Sequence, residues 1–288
     1  PDVHGVTQTD GLGKDADDSR MRWLAPREVP TLGHWFRAAG YDTHYDGKWH
    51  ISHADLIDES TGQPLATNTA DGTIIQDAVE RYLEINPLNE YGFSGWVGPE
   101  PHGGLLGNSG IIRDPLIADR TVQWLEDRYK RRNQGDSDAL KPFLLVVSFV
   151  NPHDIVLLPL YMRRPENNPY SPSNLDPPDI PKPPTRYEDL SSKPAAQIAY
   201  KHSYYSGYGI QRAVQRIYES NEQEYRNLYY RMHLEVDNPL DMVRKAVISD
   251  GSREKIIFRT SDHGDLLGAH GGLHQKWFNL YDEATRVP

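Results

Sequence analysis

The 288-residue chain contains no cysteine, no apolar run long enough for a bilayer and no excess of positive charge. Without cysteine there is no disulfide and no thiolate metal ligand, although the redox compartment stays open. No stretch approaches the ~18 consecutive apolar residues of a membrane span. Lys and Arg number 31 against 41 Asp and Glu, a net charge of −10 that argues against nucleic acid as a partner. No internal repeat is visible and no segment separates as an independent unit, so residues 1–288 read as one domain near the upper size for a single core. What remains is ordinary globular composition, 37% hydrophobic and 25% charged, which excludes a disordered chain.

Residues 1–29 are polar and aperiodic and read as loop. Thr31 is placed to cap a helix carrying Leu32, Trp35, Phe36 and Ala39 at helical spacing, closed by Gly40. A short strand, 41–45, then delivers Gly47-Lys48-Trp49-His50. Residues 52–73 read as loop, 73–84 as helix, and 87–112 as irregular because of their glycines and prolines. Asp114-Pro115 predicts a helix start with Pro at the first position, and Ile117, Thr121, Trp124, Leu125 and Arg128 form its inner face. Residues 143–149 are continuously apolar, as expected of a strand buried on both faces of a parallel sheet, and lead to Asn151-Pro152-His153. The proline-rich stretch 159–184 predicts an extended surface loop across the mouth of the site. Residues 211–247 read as helix interrupted near Asn238-Pro239, and 255–260 as a buried strand. Strand–helix alternation with buried strands predicts an α/β sandwich with a mainly parallel central sheet flanked by helices.

The chemistry concentrates at predicted strand ends, where open α/β sheets bind ligands. Thr260-Ser261-Asp262-His263-Gly264-Asp265, then Gly268-Ala269-His270-Gly271 and Lys276, sets a carboxylate and an imidazole beside a glycine-rich segment. Asp262 is a hard oxygen donor suited to Ca²⁺, Mg²⁺ or Mn²⁺, or else an ordinary cap of the following turn. Lys48 and His50 stand at i and i+2, which on extended backbone aims both to one side; read in isolation they would be an exposed Lys and a half-buried His. His153 follows a strand and a proline. Lys48, His50, His153, His263 and Lys276 together describe a basic pocket on an acidic body, consistent with a small anionic ester. His270 and His274 read as supports of the glycine-rich loop, His4 as a turn residue, and Tyr204 and Tyr205 as packing or the wall of an aromatic pocket.

Three blocks resemble the sulfatase family, in the family's order. They are Gly40-Tyr41-Asp42-Thr43 with Gly47-Lys48-Trp49-His50, then Pro142 to Phe149 with Asn151-Pro152-His153, and Thr260 to Lys276 running on through Trp277, Tyr281, Glu283 and Arg286-Val287-Pro288. The resemblance implies the alkaline-phosphatase-like fold and hydrolysis of a small aryl or alkyl sulfate monoester, as in the arylsulfatases. It implies that Asp262, with His263 beside it, ligates a divalent metal. It assigns Lys48 to sulfate and to steadying the nucleophile, His50 to a base, His153 to the leaving oxygen or the sulfate, and Lys276 to sulfate. Calcium is the family's usual ion, and His263, where many members carry Asn, admits Mn²⁺ or Mg²⁺ instead.

The family's paired aspartates and its Cys-x-Pro-Ser-Arg type motif, the source of the formylglycine nucleophile, are absent, which predicts an internal fragment, inactive alone, of a larger enzyme. His263 keeps open a phosphonate monoester or phosphodiester hydrolase of the same superfamily. A binding module without catalysis is the non-enzymatic alternative. The sequence names neither the exact substrate nor an oligomeric state.

Overall fold

A computed structural model describes residues 22–101, 104–170, 179–204, 212–276 and 279–287. Residues 1–21 with His4, the middle of the proline-rich stretch, Tyr205, Trp277 and Pro288 lie outside them. The chain divides into two compact units, residues 1–151 with 235–253 and residues 152–234 with 254–288.

In the first unit, α1 (Leu32–Ala38) begins as its sequence predicts. The Thr31 hydroxyl accepts the His34 N–H at 3.4 Å, while the Thr31 N–H donates to His34 Nδ1 at 3.1 Å. Its inner face differs from the apolar stripe. Leu32 and Trp35 are exposed, and Gly33 is buried instead. A Cβ on Gly33 would meet the Gly92 carbonyl oxygen at 2.3 Å, so close backbone approach, not side-chain size, decides which face packs.

β1 (Asp42–Gly47) follows and pairs in parallel with β2 (Phe143–Ser148), from Asp42 opposite Phe143 to Gly47 opposite Ser148. On its other side β1 bonds Ser94 through Tyr45 N–H to Ser94 O and Ser94 N–H to Thr43 O, both 3.0 Å. The burial of the two strands is the reverse of the hydropathy reading. Polar β1 is buried from Thr43 to Gly47, whereas apolar β2 is half-buried throughout. The cause is neighbourhood: β1 is flanked on both sides, and among the described residues β1 is the one strand partner of β2. β1's polar groups tolerate burial because each finds a partner. Thr43 Oγ1 donates to Gly92 O at 2.6 Å, Asp46 takes a forked pair of bonds from Arg120 at 2.6 and 3.1 Å, and His44 stacks on Trp124. Burial holds the His44 imidazole at about 4, so it packs as a neutral ring.

Between the strands come α2 (Gln76–Ile85) and α3 (Gly110–Asn133). The inner face of α3 is the predicted one, with Ile117, Thr121, Leu125 and Arg128 buried. The helix starts at Gly110, however, ahead of the Asp114-Pro115 pair. Asp114 serves another purpose: its carboxylate accepts the backbone N–H groups of Val150 and Asn151 at 2.6 and 3.0 Å, pinning the exit of β2. An aromatic core of Trp96, Tyr82, Tyr91, Phe93, Trp49 and Tyr45 lies beneath β1.

In the second unit the proline-rich stretch is not wholly extended. It opens with α4 (Leu158–Arg163), which admits Pro159 because first-turn N–H groups need no helical partner. Further on are α5 (Ala195–Ser203), α6 (Arg212–Ser220) and α7 (Glu222–Ser249). Residues of α7 to Leu234 belong to this unit and the rest to the first. The break falls at Asn221, whose side chain donates to Ile217 O at 2.7 Å and whose carbonyl accepts the Tyr225 N–H at 2.9 Å; helix continues through Pro239. Residues 255–260 form no strand: Ile256 and Phe258 are 82% and 87% exposed. A strand is made by its hydrogen-bonded neighbours, and an apolar run without them stays irregular.

Candidate functional site

Lys48 and His50 leave the carboxyl end of β1, beside the carboxyl end of β2. Gly47 makes this exit possible. Its φ is +98°, and a Cβ there would stand 1.9 Å from the Ser148 carbonyl oxygen. The Lys48 N–H continues the ladder to that oxygen at 2.8 Å, and Trp96 Nε1–H donates to Gly47 O at 2.8 Å. Lys48 and His50 are half-buried with buried Trp49 between them, its Nε1–H on Ser52 Oγ at 2.7 Å. The turn is not extended, as the i, i+2 argument assumes, because His50 has φ +49°.

The group that holds this turn is one the sequence reading missed. Glu100 Oε2 accepts the N–H of Trp49 at 2.9 Å and of His50 at 3.0 Å, and its Oε1 lies 3.9 Å from His50 Nδ1. Burial pushes the Glu100 carboxyl up to about 7, against the pull of those two N–H groups and of Lys48. A signal was present. Glu100 is the one Asp, Glu, Lys or Arg between Tyr91 and Ile112, and it is set between Pro99 and Pro101. A lone acid in an uncharged stretch is costly to bury without a dedicated partner.

His153 belongs to the second unit, where it opens the 3₁₀ turn His153–Leu157 with its Nδ1 3.8 Å from Asp154 Oδ1. Asp154 is buried and accepts the Tyr170 hydroxyl at 2.8 Å.

Asp262, His263 and Lys276 belong to the same unit as His153. Asp262 does not sit at the end of a buried strand, since its side chain is 84% exposed. Its Oδ2 lies 3.4 Å from His263 Nε2, and its Oδ1 accepts the His263 N–H at 3.0 Å. An oxygen and a nitrogen at that separation suit two corners of one ion with bonds of ~2.0–2.4 Å, so the pair fits part of a divalent-metal shell. Among the described residues no group of three or more His, Asp or Glu completes it.

Lys276 is not the surface lysine that its type alone implies. Burial lowers its pKa, opposed by the charges of Asp265 and Asp262. Asp265 organises this end of the loop: its Oδ1 accepts the N–H of Leu267 at 2.9 Å and of Gln275 at 3.2 Å, and its Oδ2 accepts the Tyr225 hydroxyl at 2.7 Å.

The two loop histidines are supports, as read. His270 bridges Glu188 at 2.8 Å and Glu283 at 3.0 Å and stacks on Tyr281 with ring centroids 3.7 Å apart. His274 is buried, stacks on Tyr218, and is held near 4 by burial. Tyr204 is core as well, its hydroxyl bonded to His274 O.

The structure thus groups Lys48 and His50 with Glu100 in one unit, and Asp262 and His263 with Lys276 in the other. Comparison with known proteins identifies the family of the chain. The sequence profile of the sulfatase family matches residues 4–288. An uncharacterized sulfatase of Escherichia coli (strain K12), YidJ, is 26% identical over 272 residues, which covers 92% of this chain and 47% of that protein. A choline-sulfatase of Rhizobium meliloti (strain 1021) is 24% identical over 268 residues, or 90% of this chain and 46% of that one. The chain spans about half the length of these curated relatives. With its profile matched across nearly every residue, the chain belongs to the sulfatase family.

Proposed function

We propose that the protein to which this chain belongs is a sulfuric ester hydrolase acting on small aryl or alkyl sulfate monoesters. The observation that carries the proposal is the delivery of Lys48 and His50 at the carboxyl end of a parallel strand, in a chain of this family. We take residues 1–288 as part of one catalytic domain of alkaline-phosphatase-like fold.

Hydrolysis of a sulfate monoester needs its anionic oxygens neutralised and charge on the departing oxygen balanced. In this reading Lys48 and Lys276 bind sulfate oxygens as point charges. His153 donates a proton to the leaving oxygen, and His50 acts as a base, which an imidazole can do near neutral pH. Asp262 and His263 would hold a divalent ion, which supplies Lewis-acid stabilisation when bound. We take the formylglycine nucleophile of the family to be supplied from outside this chain, which has no cysteine.

Turnover of an aryl sulfate by the full-length protein, set beside an aryl phosphodiester, tests the reading. A clear phosphodiester preference would sink it in favour of a phosphonate monoester or phosphodiester hydrolase, which His263 beside Asp262 favours by adding a nitrogen donor to the proposed metal pair. Asp262→Ala should lower the metal content of the purified protein as well as its turnover, and an unchanged metal content would remove Asp262 from the shell.

A further inference from the structure

His50 holds a left-handed backbone, φ +49°, which side-chain-bearing residues keep only where their surroundings over-determine it. Among those surroundings is a carboxylate oxygen that binds this backbone directly. Consecutive N–H groups, of Trp49 and His50, converge on Glu100 Oε2 at 2.9 and 3.0 Å. Successive backbone N–H groups arranged this way form a concavity that selects an anion. In this protein the anion is the protein's own side chain, arriving from fifty residues further along the chain.

Glu100 is itself held. Its N–H donates to Asp55 Oδ1 at 2.7 Å, and prolines on either side restrict its backbone. Its second oxygen, 3.9 Å from His50 Nδ1, is beyond hydrogen-bond length but within electrostatic reach of the ring.

We propose that Glu100 is the positioning residue of the catalytic turn: it fixes the backbone of Trp49 and His50 and so sets the places of the His50 imidazole and the Lys48 ammonium. The inference rests on the sulfate-ester reading for what those two side chains do, but not for the contact itself. Glu100 touches neither substrate nor metal in this account and acts through the turn. Among the described residues, the charged and titratable groups that face it include Lys48, His50, Asp55 and Arg113. Its carboxyl sits near 7, so it changes charge close to neutrality, and its grip on the two N–H groups weakens as it takes up a proton.

The experiment compares Glu100→Ala and Glu100→Gln in the full-length protein by amide hydrogen exchange and by steady-state kinetics over pH. In Glu100→Ala the amides of Trp49 and His50 should exchange about tenfold faster or more, as expected on losing a charge-assisted acceptor, while those within β1 keep their protection. Turnover should fall with them, in kcat more than in KM. Glu100→Gln keeps a carbonyl oxygen that can accept both N–H groups. It should restore protection and most of kcat, and lose the Glu100 contribution to the pH dependence of kcat while the contribution of the His50 base stays.

Unchanged exchange at Trp49 and His50 in Glu100→Ala overturns the inference whatever the activity. A Gln variant as impaired as Ala in both readouts overturns it too. Should Glu100→Ala fail to fold, Glu100→Asp, whose shorter side chain draws the carboxylate back from both N–H groups, takes its place in the same exchange and kinetic comparison, and unchanged exchange at Trp49 and His50 again overturns the inference. Faster exchange in a protein whose wild type shows no sulfatase activity refutes the sulfate reading and leaves the Glu100 contact standing.

Discussion

Replacing Glu100 by Gln should change how stability depends on pH, by an amount that the burial of the carboxyl sets. The group lies at about 7 in the folded protein against a reference of 4.5. That difference corresponds to about 3 kcal/mol at ~1.4 kcal/mol per pH unit. The sign follows from the proton. Between pH 4.5 and 7 the unfolded chain has released it and the folded chain still holds it, so the Glu100 contribution to stability declines as pH rises through that window. Below the window the contribution is at its most favourable, and above it the full cost of a buried carboxylate is present. Gln has no such titration. The assay is urea unfolding of wild type and Glu100→Gln at several pH values from 4.5 to 8, followed by tryptophan fluorescence, with Trp49 and Trp96 buried in the same unit as reporters. The stability of the variant relative to wild type should increase by about 3 kcal/mol across the window. A difference constant to within about 1 kcal/mol, or one that moves in the wild type's favour, refutes the argument that burial dominates this carboxyl. A residue that lowers stability at working pH is what a functional position looks like when activity and stability compete.

Gly47→Ala should destabilise the protein by about 2–4 kcal/mol, seen as a lower Tm, because its Cβ meets the Ser148 carbonyl at 1.9 Å and its φ is +98°; a Tm within error of wild type would contradict the close approach. Tyr225→Phe leaves the buried Asp265 carboxylate short of its shortest hydrogen bond and should cost about 1–3 kcal/mol in urea unfolding, with no loss expected only if the hydroxyl contact is absent. Lys276→Ala should weaken inhibition by inorganic sulfate together with substrate binding, and an unaffected sulfate inhibition constant would confine Lys276 to its charge interaction with Asp265 and Asp262.

The candidate residues stand in sequence motifs that are distinctive in themselves. Gly47-Lys48-Trp49-His50 announces itself as a local pattern of glycine, cation and imidazole, although the need for glycine at 47 comes from the distant Ser148 carbonyl. Glu100 stands out locally as a lone acid between two prolines, but its role is hidden, since its partners, Trp49 and His50, lie fifty residues upstream. Asp114 misled for the same reason. Beside a proline it looks like a helix cap, and its carboxylate instead serves Val150 and Asn151.

Capping and periodicity are interactions among residues a few positions apart, and they suffice to write down α1 after Thr31 and the inner face of α3 without any coordinates. Burial answers to distant partners. Thr43 and Asp46 vanish inside while Leu144 and Val146 stay half-exposed, because β1 is flanked on both sides and β2 meets one strand among the described residues. Residues 255–260 have the composition of a strand but join no sheet among the described residues. Hydropathy records a residue's preference for leaving water; the assembled chain settles which preferences are met, since hydrogen-bonded neighbours and packed side chains come from far along the sequence.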